Sequence, residues 1–115
     1  GAGIQTVVHA LDVVLEIDAA VPCGLVINEL ASNAFKHAFP GKRQGTLQVG
    51  VKRTAEDTCE LTVSDDGIGI SEELDPARAT SLGLRLVSLL TRQLRGQLVL
   101  ERGTGTTFKI TFPLE

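Results

Sequence analysis

The chain has 115 residues, of which 43% are hydrophobic and 22% charged, and its formal net charge is −3 at pH 7. That length predicts one domain, 1–115, around one core, and the balance of apolar to charged residues excludes a disordered chain. With four Phe and no Trp or Tyr, the sequence lacks the stacking platforms of a single-strand nucleic-acid binder, and its acidic balance argues against nucleic acid or an anionic membrane as a partner.

The two cysteines, Cys23 and Cys59, show no metal-ligand spacing and read as buried free thiols, which suits a reducing cytoplasm. No apolar run approaches the ~18 residues of a membrane span, and the N-terminus has no signal-peptide pattern. The expectation is a cytoplasmic domain that makes no direct membrane contact.

From Ile4 to Ile17 apolar and β-branched residues alternate, which predicts one strand around Gln5–His9 and another around Asp12–Ile17. His9 invites a phospho-accepting role, but its strand-like setting favours a structural one. Val21 to Phe39 then reads as a long helix, with Pro22 near its start and Pro40-Gly41 as its stop. Stepping about 100° per residue along an α-helix places Lys36, Asn33 and His37 on one stripe with Glu29. Leu30, Cys23, Ala34, Ile27, Ala38 and Ala31 fill the neighbouring arc, which would face a sheet. Asn28 and Ser32 point elsewhere. A carboxylate, an amide, an ammonium and an imidazole thus line one edge of the apolar stripe; the competing reading is an ordinary amphipathic helix with a solvated polar side.

Pro40 to Gly45 is rich in turn residues. Thr46–Thr54 alternates Leu47, Val49 and Val51, and Thr58–Ser64 alternates Cys59, Leu61 and Val63; the short connection between them predicts an antiparallel hairpin. The second strand runs into Asp65-Asp66-Gly67-Ile68-Gly69. A carboxylate at a strand end, followed by two glycines, lets backbone approach a ligand beside a hydrogen-bond acceptor. Calcium competes for such a loop, although the ligand alternation of an EF-hand is missing, and a plain glycine turn is the bland alternative.

Ser71 to Thr80 is polar and predicts a mobile segment with one helical turn. Ser81-Leu82-Gly83-Leu84 opens a second helix that reaches about Arg95, its apolar positions Leu84, Val87, Leu90 and Leu94 at helical spacing, and Gly96 ends it. A glycine in the first turn leaves backbone N–H groups bare where the helix dipole favours an anion. Gln97–Glu101 is a short strand. After a turn over Arg102-Gly103-Thr104-Gly105-Thr106, Thr107–Phe112 is the last strand, with Phe108, Ile110 and Phe112 on one face. The predicted order, β-β-α-β-β-α-β-β, makes an α+β two-layer sandwich with helices on one face of a mixed, mostly antiparallel sheet.

The stretches NELASNAFKHAF, DDGIG, SLGLRLV and GTGTTFKITFP occur in that order. Together they resemble the catalytic, ATP-binding domain of sensor histidine kinases, within the GHKL superfamily of Bergerat-fold ATPases. They look like its N box and its successive glycine boxes, and the resemblance covers about Asp12 to Pro113. The subgroup it suggests is related to the HWE kinases; the absence of a W-x-E element sets the chain outside the HWE group proper.

The resemblance implies a protein histidine kinase that uses ATP and Mg²⁺. It would transfer the γ-phosphoryl to a histidine on a separate helical dimerisation domain of the same kinase, which in turn serves a response regulator. Carried over by position, Asp65 would accept a hydrogen bond from the adenine amino group, with Thr106 supporting it through water. Gly67 and Gly69 would let backbone pass close to the base. Asn33 would hold Mg²⁺, and Lys36 and His37 would touch phosphate oxygens. Ser81, Leu82, Gly83 and Leu84 would cradle the phosphates with backbone N–H groups. Glu29 would orient the attacking imidazole or assist the metal; in hydrolytic members of the superfamily that position activates water. Ser81 departs from the glycine that many relatives have, and the lid before it carries no Phe. The chain contains no plausible acceptor helix, so it is expected to be monomeric and to bind nucleotide without phosphorylating itself. The alternatives are a degenerate Bergerat-fold regulatory or protein-binding module, and a serine kinase of the anti-sigma type or an ATPase on the same fold.

Overall fold

A computed structural model of the chain describes residues 4–11, 13–38, 44–55, 57–67 and 82–114. The elements are β1 (Ile4–Leu11), α1 (Ile17–Asn33) continued by a π-helical turn (Ala34–Ala38), β2 (Gly45–Ala55), β3 (Thr58–Asp65), α2 (Leu82–Gln93), β4 (Gln97–Arg102) and β5 (Thr106–Pro113). The five strands form one sheet in the order β1-β2-β3-β5-β4. β1 runs parallel to β2, and the other three pairings are antiparallel. Both helices cover one face, which is the expected α+β two-layer sandwich.

Strand alternation decides which side chains meet the helices. Leu47 and Val49 of β2, Cys59, Leu61 and Val63 of β3, and Phe108, Ile110 and Phe112 of β5 are all buried. They pack against Cys23, Val26, Leu30 and Ala34 from the α1 side and Leu84, Val87, Leu90 and Leu94 from the α2 side. The core is mostly aliphatic, joined by Phe108 and Phe112 from β5, and Phe112 is its largest fully buried side chain. The hairpin β2–β3 is antiparallel, as expected, with Val49 opposite Val63 and Val51 opposite Leu61.

The strand expected over Asp12–Ile17 is not there. Val13 and Leu15 do pack against the core while Val14 is 89% exposed, so the alternation is real. Residues 13–16 pair with no strand of the sheet, and the Glu16 carbonyl instead accepts from the Ala19 and Ala20 N–H groups at the start of the helix. The segment runs extended to Glu16 (φ −61°, ψ 153°), and α1 begins at Ile17, a turn earlier than Pro22 suggested. Asp18 favours that start by lying in the first turn, at the positive end of the helix dipole. Pro22 consequently sits inside the helix rather than at its N-terminus. The observed order is β-α-β-β-α-β-β.

α1 also stops being α-helical sooner than expected, passing at Ala34 into the π-helical turn. An i→i+5 turn advances less per residue than an α turn, so the wheel position expected for Lys36 beside Glu29 does not carry over. At its far end α2 closes with a Schellman-type pair of bonds, Gly96 N–H to Thr91 O at 2.9 Å and Arg95 N–H to Arg92 O at 2.9 Å. The left-handed residue is Arg95 (φ 59°), not Gly96. Gly96 is needed for a different reason: a Cβ there would lie 2.6 Å from the backbone oxygen of Thr111 and 3.0 Å from Phe112 Cβ. The lid expected over Ser71–Thr80 lies outside the described residues, as do Gly69 and Ser81.

Candidate functional site

The layer has two distinct ends. At one, the start of α1, the end of α2, Asp57 before β3 and Pro113 at the close of β5 line a common cavity of about 380 Å³. The chemical residues therefore gather at the other end: Glu29 and Asn33 towards the close of α1, Gly83 in the first turn of α2, Asp65 at the end of β3 and Thr106 at the start of β5.

Asp65 follows Val63 and Leu61 at strand spacing, so its side chain stands on the helix-covered face. It is partly buried and directly opposite Thr106, which is only 5% exposed. The Gly67 N–H donates to Asp65 Oδ1 at 2.9 Å, and this local bond fixes the carboxylate at the mouth of the turn. Asp66 ties the same turn to β2: the Thr46 N–H donates to its Oδ1 at 2.7 Å, and its own N–H donates to Thr46 O at 3.3 Å.

The turn between β4 and β5 closes over this point. A Cβ added at Gly105 would fall 2.7 Å from the Asp65 carbonyl carbon and 2.8 Å from Asp66 Cα. Backbone approaches backbone here, so only glycine fits. Sequence reasoning assigned no task to Gly105 or to Asp66. The signals available were the G-T-G-T pattern and the doubled aspartate, but neither says which strand it will touch.

Glu29 and Asn33 are one helical turn apart and share a face of α1, as the wheel predicted. That face meets α2. A Cβ at Gly83 would stand 2.7 Å from Glu29 Oε2 and 3.8 Å from both Asn33 Nδ2 and Oδ1. A carboxylate and an amide oxygen are thus presented together at a helix N-terminus, where the dipole favours negative charge. Leu84, next in α2, is buried in the core and anchors that terminus. Lys36 is exposed on the π-helical turn, and Leu82 is 81% exposed. The side chain of His37 lies outside the described residues.

Cys23 and Cys59 are buried and free, as expected. Burial pushes the Cys23 thiol up to about 11 from 9.0, with Cys59 adding to the shift; burial likewise raises Cys59. Neither thiol is an activated nucleophile. Among the described residues no three His, Cys, Asp or Glu side chains cluster as a metal cage, and no helix is long and apolar enough to cross a membrane. A concavity of about 460 Å³ also opens beside the β4–β5 turn. Its lining joins Gln48, Ser64 and Thr107, on the sheet face away from the helices, to Asp65, Gly105 and Thr106, so it reaches from that face to the edge of the candidate site.

Residues 19–115 match the family of histidine kinase-, DNA gyrase B- and HSP90-like ATPases. The chain belongs to that ATPase family. Its similarity to sensor kinases is specific: it is 35% identical over 112 residues to blue-light-activated histidine kinase 2 of Erythrobacter litoralis, covering 96% of this chain and 32% of that protein. It is 34% identical over 103 residues to the sensor histidine kinase PdtaS of Mycobacterium tuberculosis, covering 84% of this chain and 20% of that one. The solved histidine kinase domain of the Erythrobacter litoralis blue-light-activated kinase superposes with a TM-score of 0.90 at 34% identity, over 99% of this chain and 53% of that domain. The Acinetobacter baumannii histidine kinase AdeS shares the fold at a TM-score of 0.81 and 22% identity. These histidine kinase-like ATPase relatives are longer: the chain spans about a third of the first protein's length and a fifth of the second's.

Proposed function

We propose that the chain is the Mg·ATP-binding catalytic domain of a sensor histidine kinase, passing the γ-phosphoryl to a histidine on a separate helical dimerisation domain of the same kinase. The observation that carries the reading is the convergence of two groups at one end of the helix layer. One is Asp65, held by the Gly67 N–H and facing the buried Thr106. The other is Glu29 and Asn33 set against Gly83 in the first turn of α2. The first reads a base through a fixed acceptor, and the second receives phosphates.

In this reading Asp65 accepts from the adenine amino group, which selects adenine over guanine, and Thr106 steadies that contact. Gly67, buried beside Asp65, lets the base lie against backbone. The α2 N-terminus offers the Gly83 and Leu84 N–H groups to phosphate oxygens, and Lys36 brings an ammonium from the π-helical turn. Gly69, Ser81, Leu82 and His37 complete the set by motif. The donor chemistry at Asn33 and Glu29 fits Mg²⁺, a hard ion bound through one or two protein oxygens plus substrate phosphates. The metal would supply neutralisation of phosphate charge. Positioning by these side chains and the fixed dipole of α2 would account for most of the rate.

The test mixes the chain with γ-labelled ATP and the histidine-bearing helical domain of its kinase, beside a serine-bearing antagonist protein. Label is expected on the helical domain in an acid-labile linkage. Stable label on the chain itself, or on the serine protein, would contradict the reading.

A further inference from the structure

Among the described residues four glycines sit where an added methyl would overlap a neighbour, and they differ in what it would strike; at Gly50 it is the hydroxyl of Thr62, at 2.9 Å on the neighbouring strand. At Gly96 the nearest atom is the backbone oxygen of Thr111, and at Gly105 the nearest atoms belong to the Asp65–Asp66 backbone. At Gly83 all three nearest atoms are side-chain atoms of Glu29 and Asn33. Only Glu29 Oε2, at 2.7 Å, is inside van der Waals distance; the Asn33 amide atoms, at 3.8 Å, are at ordinary contact. The overlapped atom is the tip of a flexible side chain. A methyl at this position would be relieved by swinging the carboxylate away, with no backbone displaced. The carboxylate lies beside the first turn of α2, an end of the helix where the dipole favours negative charge.

We infer that Gly83 is a positioning residue for Glu29, keeping a seat for its carboxylate against the α2 N-terminus. The inference rests on the kinase reading, because it gives a kinetic consequence to Glu29. It assigns this glycine to the protein's own carboxylate rather than only to the close approach of phosphate. The Asn33 amide lies just behind the same seat, so a displaced Glu29 carboxylate also changes what Asn33 faces.

The two explanations separate in a double-mutant cycle. Phosphoryl transfer to the helical domain is measured for wild type, Gly83→Ala, Glu29→Ala and the double variant, with melting temperatures recorded alongside. Gly83→Ala is expected to lower kcat about tenfold or more while the KM for ATP stays within about threefold, at nearly unchanged melting temperature. In the Glu29→Ala background the same substitution should cost nothing further. A raised KM with intact kcat would overturn the proposal, because the glycine would then serve the nucleotide. So would an equal loss in both backgrounds, or a fall in melting temperature that Glu29→Ala does not relieve. If the wild-type chain transfers no label, the kinase reading fails on its own. The cycle is then read on the Mg²⁺ dependence of ATP-analogue binding, where the same non-additivity supports the proposal and additivity overturns it.

Discussion

Asp65 owes its place to three neighbours that act on different parts of it. Thr106 faces it across the strand pair, the Gly67 N–H holds its carboxylate, and Gly105 lies against its carbonyl. Alternation placed Asp65 on the core face, and a glycine two residues on marked a local turn, so that part was legible in the sequence. The relations to Thr106 and Gly105 were not legible in the local pattern, because both depend on which strand lies next to β3; only the resemblance brought Thr106 near Asp65. The same limit applies at Gly96, where a helix-ending glycine was legible but its packing against β5 was not. Gly105→Ala is expected to destabilise the fold by about 1–3 kcal/mol, since a methyl must enter a space already filled by backbone. Urea denaturation checks this, and an unmoved midpoint would mean that the β4–β5 turn yields freely.

Among the elements, β2, β3, β5 and α2 emerged from periodicity within a residue or two, whereas both ends of α1 were misplaced. Its start was obscured because Val13 and Leu15 alternate like a strand, although they pair with no strand of the sheet. Its far end was obscured because a π-helical turn has no separate hydrophobic signature. The centre of α1 was legible: Glu29 and Asn33 share a face and meet the partner helix. Val26, fully buried, shows the apolar arc reaching closer to that polar edge than the wheel assigned. The two-layer packing makes sharp energetic contrasts. Phe112→Ala, at a position 1% exposed, is expected to cost about 3–5 kcal/mol. Val14→Ala, at a side chain 89% exposed, is expected to stay within about 0.5 kcal/mol. Chemical denaturation of both variants would contradict the packing if the two losses were similar.

The whole molecule divides its work by position. The sheet and the inner helix faces supply the core, and the chemistry is confined to the end where α1 finishes and α2 begins. The thiols belong to the core. For both, the folded state favours the neutral form, so the stability they contribute is complete below their ordinary value of 9.0. It is lost as pH rises from there towards about 11 for Cys23. Stability should therefore fall over that alkaline window, and Cys23→Ala should flatten part of the fall; identical pH curves for the two proteins would contradict this. The sequence lacks Tyr, so no phenol titration overlaps the window. The central claim is that this end of the layer is an adenine-nucleotide site read by Asp65. It is tested most directly by calorimetric titration of a non-hydrolysable ATP analogue, with and without Mg²⁺, into wild type and Asp65→Asn. The expected result is binding by wild type that Mg²⁺ strengthens and a guanine analogue does not reproduce, and its loss in Asp65→Asn with the fold intact. No wild-type binding at millimolar nucleotide, or equal binding by the variant, would contradict it.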